Sequence, residues 1–310
     1  MYSIKSPVVI FIYNRPEITL QLFNLICRVR PPKIYLISDG PKFADEIDFS
    51  KVIQCREIFN ETNWIVEIKK NFSPVNLGCK IRIKSGIDWV FASENCAIIL
   101  EDDCIPDESF FMFADEMLSK YESDLRIGAI CAANFLTTRD IPVASYFATS
   151  HTQIWGWATW RNRWKLYDSK MSNWPSEKKE FASDSYFNGI VQKFAWNKSF
   201  DSAFANKVDT WDINWQYTLW RHNLYSILPN INLVNNLGFN LDGTHTKNTV
   251  NPLPEIGLGG ISFPLKYPER LGTEPGIEAK LFRKSMPPKD YFYLIFRAIF
   301  DKFKILLLGG

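Results

Sequence analysis

The shortages of this chain bound what it can be. No uninterrupted apolar stretch approaches the roughly 20 residues that span a bilayer, so a transmembrane helix is not expected. Neither sign of charge dominates, with 36 Lys and Arg against 34 Asp and Glu and a net of +2. That is the balance of an ordinary globular protein, and no nucleic-acid partner is implied. Cys27, Cys55, Cys79, Cys96, Cys104 and Cys131 form neither a CxxC pair nor a zinc-knuckle spacing. They read as small buried thiols of a reducing compartment. No basic-then-apolar leader precedes Val8, so a cytoplasmic location without signal peptide or N-terminal anchor is expected. Repeats and low-complexity tracts are lacking as well.

What is present is a core-forming composition with unusual aromatic weight. With 310 residues, 46% of them hydrophobic, the chain can bury one large core or two small ones. It holds 11 Trp, 12 Tyr and 24 Phe, many of them crowded between Tyr146 and Trp220. Aromatic faces suit the apolar C–H faces of sugar rings, and they fill a core equally well.

The first 130 residues alternate strand-like and helix-like segments. Pro7 to Tyr13 is a continuous apolar run, as in a strand buried on both faces. Asn14-Arg15-Pro16 breaks it, and Pro16 is placed to open a helix reaching about Arg28. Lys33 to Ser38 reads as a second strand, stopped by Asp39-Gly40-Pro41. Val52 to Asn60 reads as a helix and Trp64 to Ile68 as a third strand. Lys80 to Phe91 is helical, with Ile83, Ile87 and Val90 on one stripe. Ala97 to Leu100 is a fourth strand ending in Glu101-Asp102-Asp103, and Ser109 to Tyr121 a further helix. This β-α-β spacing implies an α/β fold, a mostly parallel sheet with right-handed crossovers and helices on both faces. Ligands of such sheets bind beyond the carboxyl ends of the strands. Asn14-Arg15, Asp39 and Glu101-Asp102-Asp103 should therefore converge on one rim.

The second half is less regular. Asp140-Ile141-Pro142 and Ser172 to Ser176 read as loops, Asp209 to Tyr225 as a helix, and Ile231 to Val234 as a strand. Asn236 to Thr273, rich in Gly, Pro and Asn, reads as a long loop or lid. Trp157, Trp160 and Trp164 are spaced like one face of a helix, which favours core packing. Residues 1–135 are expected to form a donor-binding half and 136–275 an acceptor-side catalytic half of one unit. Residues 276–310 form an amphipathic tail. Its segment Tyr291 to Leu308 mixes aromatic and aliphatic residues with Arg297, Lys302 and Lys304. It suits peripheral contact with a membrane or packing on the protein's own core.

Three adjacent acids at a strand end are costly, because they repel one another and the sheet edge desolvates them. A hard divalent cation, Mn²⁺ or Mg²⁺, relieves that cost, taking one or two carboxylates together with phosphate oxygens and water. Arg15, a permanent planar cation at a strand end, suits a diphosphate. Asp39 either accepts from the N–H of a base or forms a turn before Gly40. If the strand persists, Asp102 and Asp103 point opposite ways, one toward a ribose hydroxyl and the other toward metal.

The segment Ile98 to Phe113, IILEDDCIPDESFFMF, resembles the acidic metal motif of GT-A glycosyltransferases. It is especially similar to that of the N-acetylglucosaminyltransferases that act on mannosides, and bacterial family 2-like transferases share the pattern. Phe11 to Arg15 resembles that family's first strand, with Tyr13, Asn14 and Arg15 facing the nucleotide. Ser38-Asp39 resembles its uracil-reading Asp. Arg82 falls where the family has a nucleotide-contacting side chain. Trp211-Asp212 resembles the Trp-Asp pair that supplies the catalytic base, and Gly243-Thr244-His245 its late His segment. The resemblance implies a GT-A fold with an acceptor-side extension. It also implies Asp103 as metal ligand, Asp102 as ribose partner and His245 as a metal or phosphate contact. Asp212 would be the general base, with Asp209 one helical turn earlier as rival. Glu101, Trp157 and Trp211 are further candidates for sugar contacts. The implied partners are a nucleotide-sugar donor and a glycan or lipid-linked saccharide acceptor.

Two other functions compete. A sugar-phosphate nucleotidyltransferase shares the layout and the metal, but such enzymes usually carry a glycine-rich phosphate loop after the first strand. Tyr13-Asn14-Arg15-Pro16 has no glycine. A non-catalytic carbohydrate-binding protein is the other, against which the presence of both Asp103 and Asp212 speaks.

Overall fold

The computed structural model describes residues 3–60, 62, 64–136, 143–183, 189–238, 257–285 and 294–295. Strand β1 (Val8–Ile12) is buried throughout. Both of its faces are covered: Val8, Ile10 and Ile12 belong to one apolar cluster, Val9 and Phe11 to the other. Alternation of side chains across a strand thus turns the continuous apolar run of the sequence into two packed layers. Helix α1 (Pro16–Val29), opened by Pro16, sets Leu22, Leu25 and Ile26 against the first layer. Helix α3 (Cys79–Phe91) sets Ile83, Ile87 and Val90 against the second, on the predicted stripe.

β1 pairs in parallel with β2 (Lys33–Ser38) on one side and β4 (Cys96–Glu101) on the other. β3 (Glu67–Phe72) pairs in parallel with β2. The remaining strands are β6 (Ile127–Cys131), β7 (Tyr146–Thr149), β8 (Trp157–Trp160) and β9 (Tyr225–Pro229). Together they complete an eight-stranded sheet in the order β3-β2-β1-β4-β8-β6-β9-β7. Pairs β1/β2, β1/β4, β2/β3 and β6/β9 are parallel, and the three involving β8 or β7 are antiparallel. The fold is therefore α/β, with a mixed and mostly parallel sheet between helices, as the sequence implies. Strands from both expected halves share this sheet. A small antiparallel pair, β5 (Cys104–Pro106) with β10 (Val234–Asn236), lies apart from it.

Several expected boundaries move, each for a visible reason. Helix α2 (Glu46–Glu57) starts before Val52, because Asp45 caps it by accepting from the Asp48 amide. The third strand begins at Glu67, where the Glu67 amide reaches Pro32 O and the ladder with Lys33 starts. The apolar residues before it stay out of the sheet: Trp64 donates to Pro31 O, and Ile65 is fully exposed. Helix α4 (Glu108–Lys120) follows the acidic motif, capped by Asp107.

The Trp spacing that looked helical is mostly strand. Trp157 and Trp160, three apart on β8, face opposite layers, and the short helix α5 (Arg161–Trp164) returns Trp164 to the layer of Trp157. Helices α6 (Trp174–Ser183) and α7 (Ile190–Phe204) were not legible. They rest on an aromatic cluster of Trp174, Phe181, Phe200, Tyr217 and Trp220. Helix α8 (Asp212–Arg221) is shorter than the predicted segment, and Tyr225 opens β9 instead. Of the predicted lid, Asn236 closes a short strand, and residues 257–273 have neither helix nor strand.

Of the tail, helix α9 (Pro275–Lys284) packs Ile277 and Leu281 on the second layer. The segment Tyr291 to Leu308 lies almost wholly outside the described residues. No helix among the described residues is long and apolar enough to cross a membrane. All six thiols are free, but only Cys55, Cys104 and Cys131 are buried.

α9 is held by a buried polar knot. Glu278 accepts from Thr149 Oγ1 at 3.0 Å, the Ser150 amide at 2.9 Å and Ser150 Oγ at 2.8 Å. His151 Nε2 lies 2.6 Å from Gln192 Nε2 and 3.6 Å from Glu278 Oε2. Burial lowers the His151 pKa from 6.5 to about 4 and raises that of Glu278. In the window between about 4 and 6.5 the unfolded chain takes up a proton that folded His151 refuses, so the His151 contribution to stability is lost as pH falls through it, while the raised Glu278 carboxyl acts in the opposite sense above 4.5. His151→Gln should flatten this dependence. Urea midpoints at pH 7 and pH 5 should lie closer together in the variant than in the native chain, and an unchanged difference would refute the assignment.

Candidate functional site

The registers Ile12↔Ser38 and Phe11↔Glu101 bring the carboxyl ends of β1, β2 and β4 to one level. Tyr13-Asn14-Arg15, Asp39-Gly40 and Asp102-Asp103 leave the sheet there together. The order β3-β2-β1-β4 means that successive connections run outward in opposite directions from β1. The crevice between the ends of β1 and β4 is such a topological switch point, where open α/β sheets take their ligands.

Arg15 stands in that crevice. Its Nη1 is 2.7 Å from Asp103 Oδ2 and 3.3 Å from Asp102 Oδ1. Asp102 Oδ2 also accepts from the Tyr13 amide at 3.1 Å. The predicted divergence of Asp102 and Asp103 does not hold. β4 ends at Glu101 and the chain turns, so strand alternation stops and both carboxylates reach one guanidinium. Burial alone would lower the Arg15 pKa, but Asp102 and Asp103 outweigh it and raise it.

Acid exceeds base here. Burial, then Asp103, Asp102 and Asp212, push the Glu101 carboxyl well above the ordinary range. Burial and Asp103 do the same to Asp102, against the pull of Arg15. Such an excess of oxygen donors suits a hard divalent cation. Among the described residues no three His, Cys, Asp or Glu side chains form a ready metal cage. An ion here would have one or two carboxylates as protein ligands, with phosphate oxygens and water completing its shell. The chain at 237–238 packs closely against Asp103. The Leu237 amide donates to Asp103 O at 2.8 Å, and a Cβ on Gly238 would collide with the Asp103 carboxylate. His245 lies outside the described residues.

The other candidates fall into distinct settings. Tyr13 Oη donates to Asp48 Oδ2 at 2.8 Å and Asn14 Nδ2 to Asp48 Oδ1 at 2.6 Å, while the Lys42 amide donates to Asp48 Oδ2 at 2.7 Å. Sequence reading missed Asp48 because it began the helix too late. The signal was the Asp45-x-x-Asp48 pair at a helix start. Asp39 is occupied by backbone: its oxygens accept from the amides of Gly40 at 2.8 Å, Leu77 at 2.9 Å and Gly78 at 3.1 Å. Burial still raises its pKa against those bonds. Arg82 is buried and donates to Ser38 O at 3.1 Å, and to Asn71 O at 2.5 Å and Oδ1 at 2.9 Å. It staples the ends of β2 and β3.

Asp212 opens α8 and accepts from Thr210 Oγ1. Its charge raises the pKa of Glu101, of the Cys79 thiol and of the Tyr167 hydroxyl, in each case after burial as the larger cause. The charge of Asp212 is thus felt at Glu101, the last residue of β4. Asp209 does not offer a free carboxylate, because it accepts from the amides of Cys79 and Lys80, both at 3.1 Å. Trp157 and Trp211 are corrections to the sugar-contact reading. They are 1% and 2% exposed and stack on each other at 5.3 Å, with Trp215 against them. No face of either ring is left for a sugar.

No protein-family model and no curated protein matches the sequence. Among solved structures, 4-diphosphocytidyl-2C-methyl-D-erythritol synthase from Anaerococcus prevotii is similar over 64% of this chain and 84% of that one. The identity is 12% and the TM-score 0.30.

Proposed function

We propose that this chain is an inverting, metal-dependent glycosyltransferase of the GT-A type, moving a sugar from a UDP-sugar to a glycan or glycolipid acceptor. The observation that carries the reading is the meeting of Arg15, Asp102 and Asp103 at the β1/β4 switch point. Arg15 would swing from the acids to the donor diphosphate. Tyr13 and Asn14, braced by Asp48, would line the nucleotide, and Asp102 would take a ribose hydroxyl. Asp39 and Arg82 would serve the nucleotide by holding the loops around it, since their polar atoms already bind backbone. Asp103, with His245 as a second candidate, would hold Mn²⁺ or Mg²⁺, which supplies positive charge to the departing diphosphate. Asp212 would take the acceptor hydroxyl's proton as its oxygen attacks the anomeric carbon.

Calorimetry with UDP tests the donor side. Without a divalent cation the acids at 101–103 repel the diphosphate, so binding should be weak in EDTA and strong with Mn²⁺. Equal affinity in both would remove the metal from the proposal. No UDP binding under either condition would favour a carbohydrate-binding protein.

A further inference from the structure

Resting on the reading of Asp212 as base, we propose that Asp209 is a positioning residue. Its carboxylate ties the segment bearing Asp212 to the first turn of α3, so that the donor-side loop and the base are held as one unit. Four consecutive amides carry the argument. Those of Leu77 and Gly78 donate to Asp39, at the end of β2. The next two, Cys79 and Lys80, donate to Asp209 Oδ2 and Oδ1. Two carboxylates from distant parts of the chain thus divide one turn of backbone between them. The amides of Cys79 and Lys80 are unsatisfied within α3 and form the positive end of its dipole, so a carboxylate is the fitting partner.

The approach depends on a glycine. Gly78 has φ +77°, and a Cβ there would stand 2.7 Å from Asp209 Oδ2. A second tie comes from the same stretch of chain, where Lys80 Nζ donates to Asn206 Oδ1 at 3.1 Å. Only Thr210 and Trp211 separate Asp209 from the base. Three residues span at most about 10 Å of extended chain, so displacement of Asp209 is transmitted to Asp212. Thr210, which donates to Asp212 Oδ1, moves with them. The Tyr167 hydroxyl holds Trp211 O at 3.2 Å on the far side.

Three variants test this, Asp209→Asn, Asp209→Ala and Gly78→Ala, beside Asp212→Asn. UDP release is followed with Mn²⁺ and whichever of UDP-glucose, UDP-galactose, UDP-N-acetylglucosamine and UDP-N-acetylgalactosamine the native protein hydrolyses fastest. Thermal melts confirm folding, and amide exchange is read across residues 78–81 and 210–214. The expected result is a kcat lowered by about tenfold to a hundredfold in Asp209→Ala and Gly78→Ala, and less in Asp209→Asn. KM and UDP affinity should stay within about twofold in the two Asp209 variants, as a displaced base requires. Exchange should rise in both segments. Native kcat in the Asp209 and Gly78 variants, with Asp212→Asn slow, would overturn the positioning role and leave the base reading standing. A change confined to UDP affinity, or unchanged exchange across residues 210–214, would overturn it too. An Asp212→Asn variant with native kcat would bring down both.

Discussion

Asp212→Asn should lower turnover of a UDP-sugar by roughly 10²–10⁴ while leaving UDP affinity intact, the usual worth of a general base. In an inverting transfer the acceptor oxygen forms its bond to the anomeric carbon as the sugar–phosphate bond breaks. The hydroxyl proton must leave at that moment, and a carboxamide of the same shape cannot take it. Asp212 is the better placed of the two acids at this end of α8. The oxygens of Asp209 already accept from Cys79 and Lys80 amides, whereas Asp212 Oδ1 accepts from the neighbouring Thr210 hydroxyl. UDP affinity should survive because the groups assigned to the nucleotide stand on the ends of β1, β2 and β4. Near-native turnover in the variant would rule out Asp212, and if Asp209→Asn were the dead variant instead, the role would pass to Asp209.

Asp103→Ala should remove the response of UDP binding to Mn²⁺ and lower affinity in its presence by roughly 10²-fold or more. That exceeds the 10–100-fold typical of a metal's outer partners, because Asp103 is assigned direct contact with the ion. The signs differ with and without metal, which makes the measurement selective. In EDTA the alanine variant should bind UDP as well as the native protein or slightly better, since one repelling charge is gone and Arg15 loses its 2.7 Å partner. With Mn²⁺ it should bind far worse. A variant weakened equally under both conditions would show Asp103 to be a structural partner of Arg15 rather than a metal ligand.

The donor-side rim was legible because its signals are local. An apolar run buried on both faces, a proline opening α1 and three acids ending β4 each follow from a few adjacent residues, and parallel pairing then forces their convergence. What escaped reading depends on distant partners. Asp39 suits either a base or a turn before Gly40; the turn bond is present, and the chain returns 38 residues later to present the Leu77 and Gly78 amides to it as well. Arg82 donates to the carbonyls of Ser38 and Asn71, which lie 44 and 11 residues away in the chain. Asp48 was invisible because its worth lies in gathering Tyr13 and Asn14 from another element. The Trp residues misled through period. Spacings of three and four fit a helix, but a strand running into a short helix meets the same residues from two faces. Trp157, Trp164, Trp211 and Trp215 then close into one buried stack. Aromatic richness here serves the core.

The central claim is that the β1/β4 crevice breaks a sugar–diphosphate bond with the help of a metal. The most direct test incubates the protein with each of the four UDP-sugars and Mn²⁺, and separately with UTP and the matching sugar 1-phosphates, following all nucleotides by chromatography. Release of UDP from at least one UDP-sugar, abolished by EDTA, is the expected result. Intact UDP-sugars, with UTP and a sugar 1-phosphate joined into a UDP-sugar and pyrophosphate, would contradict it and identify a nucleotidyltransferase instead.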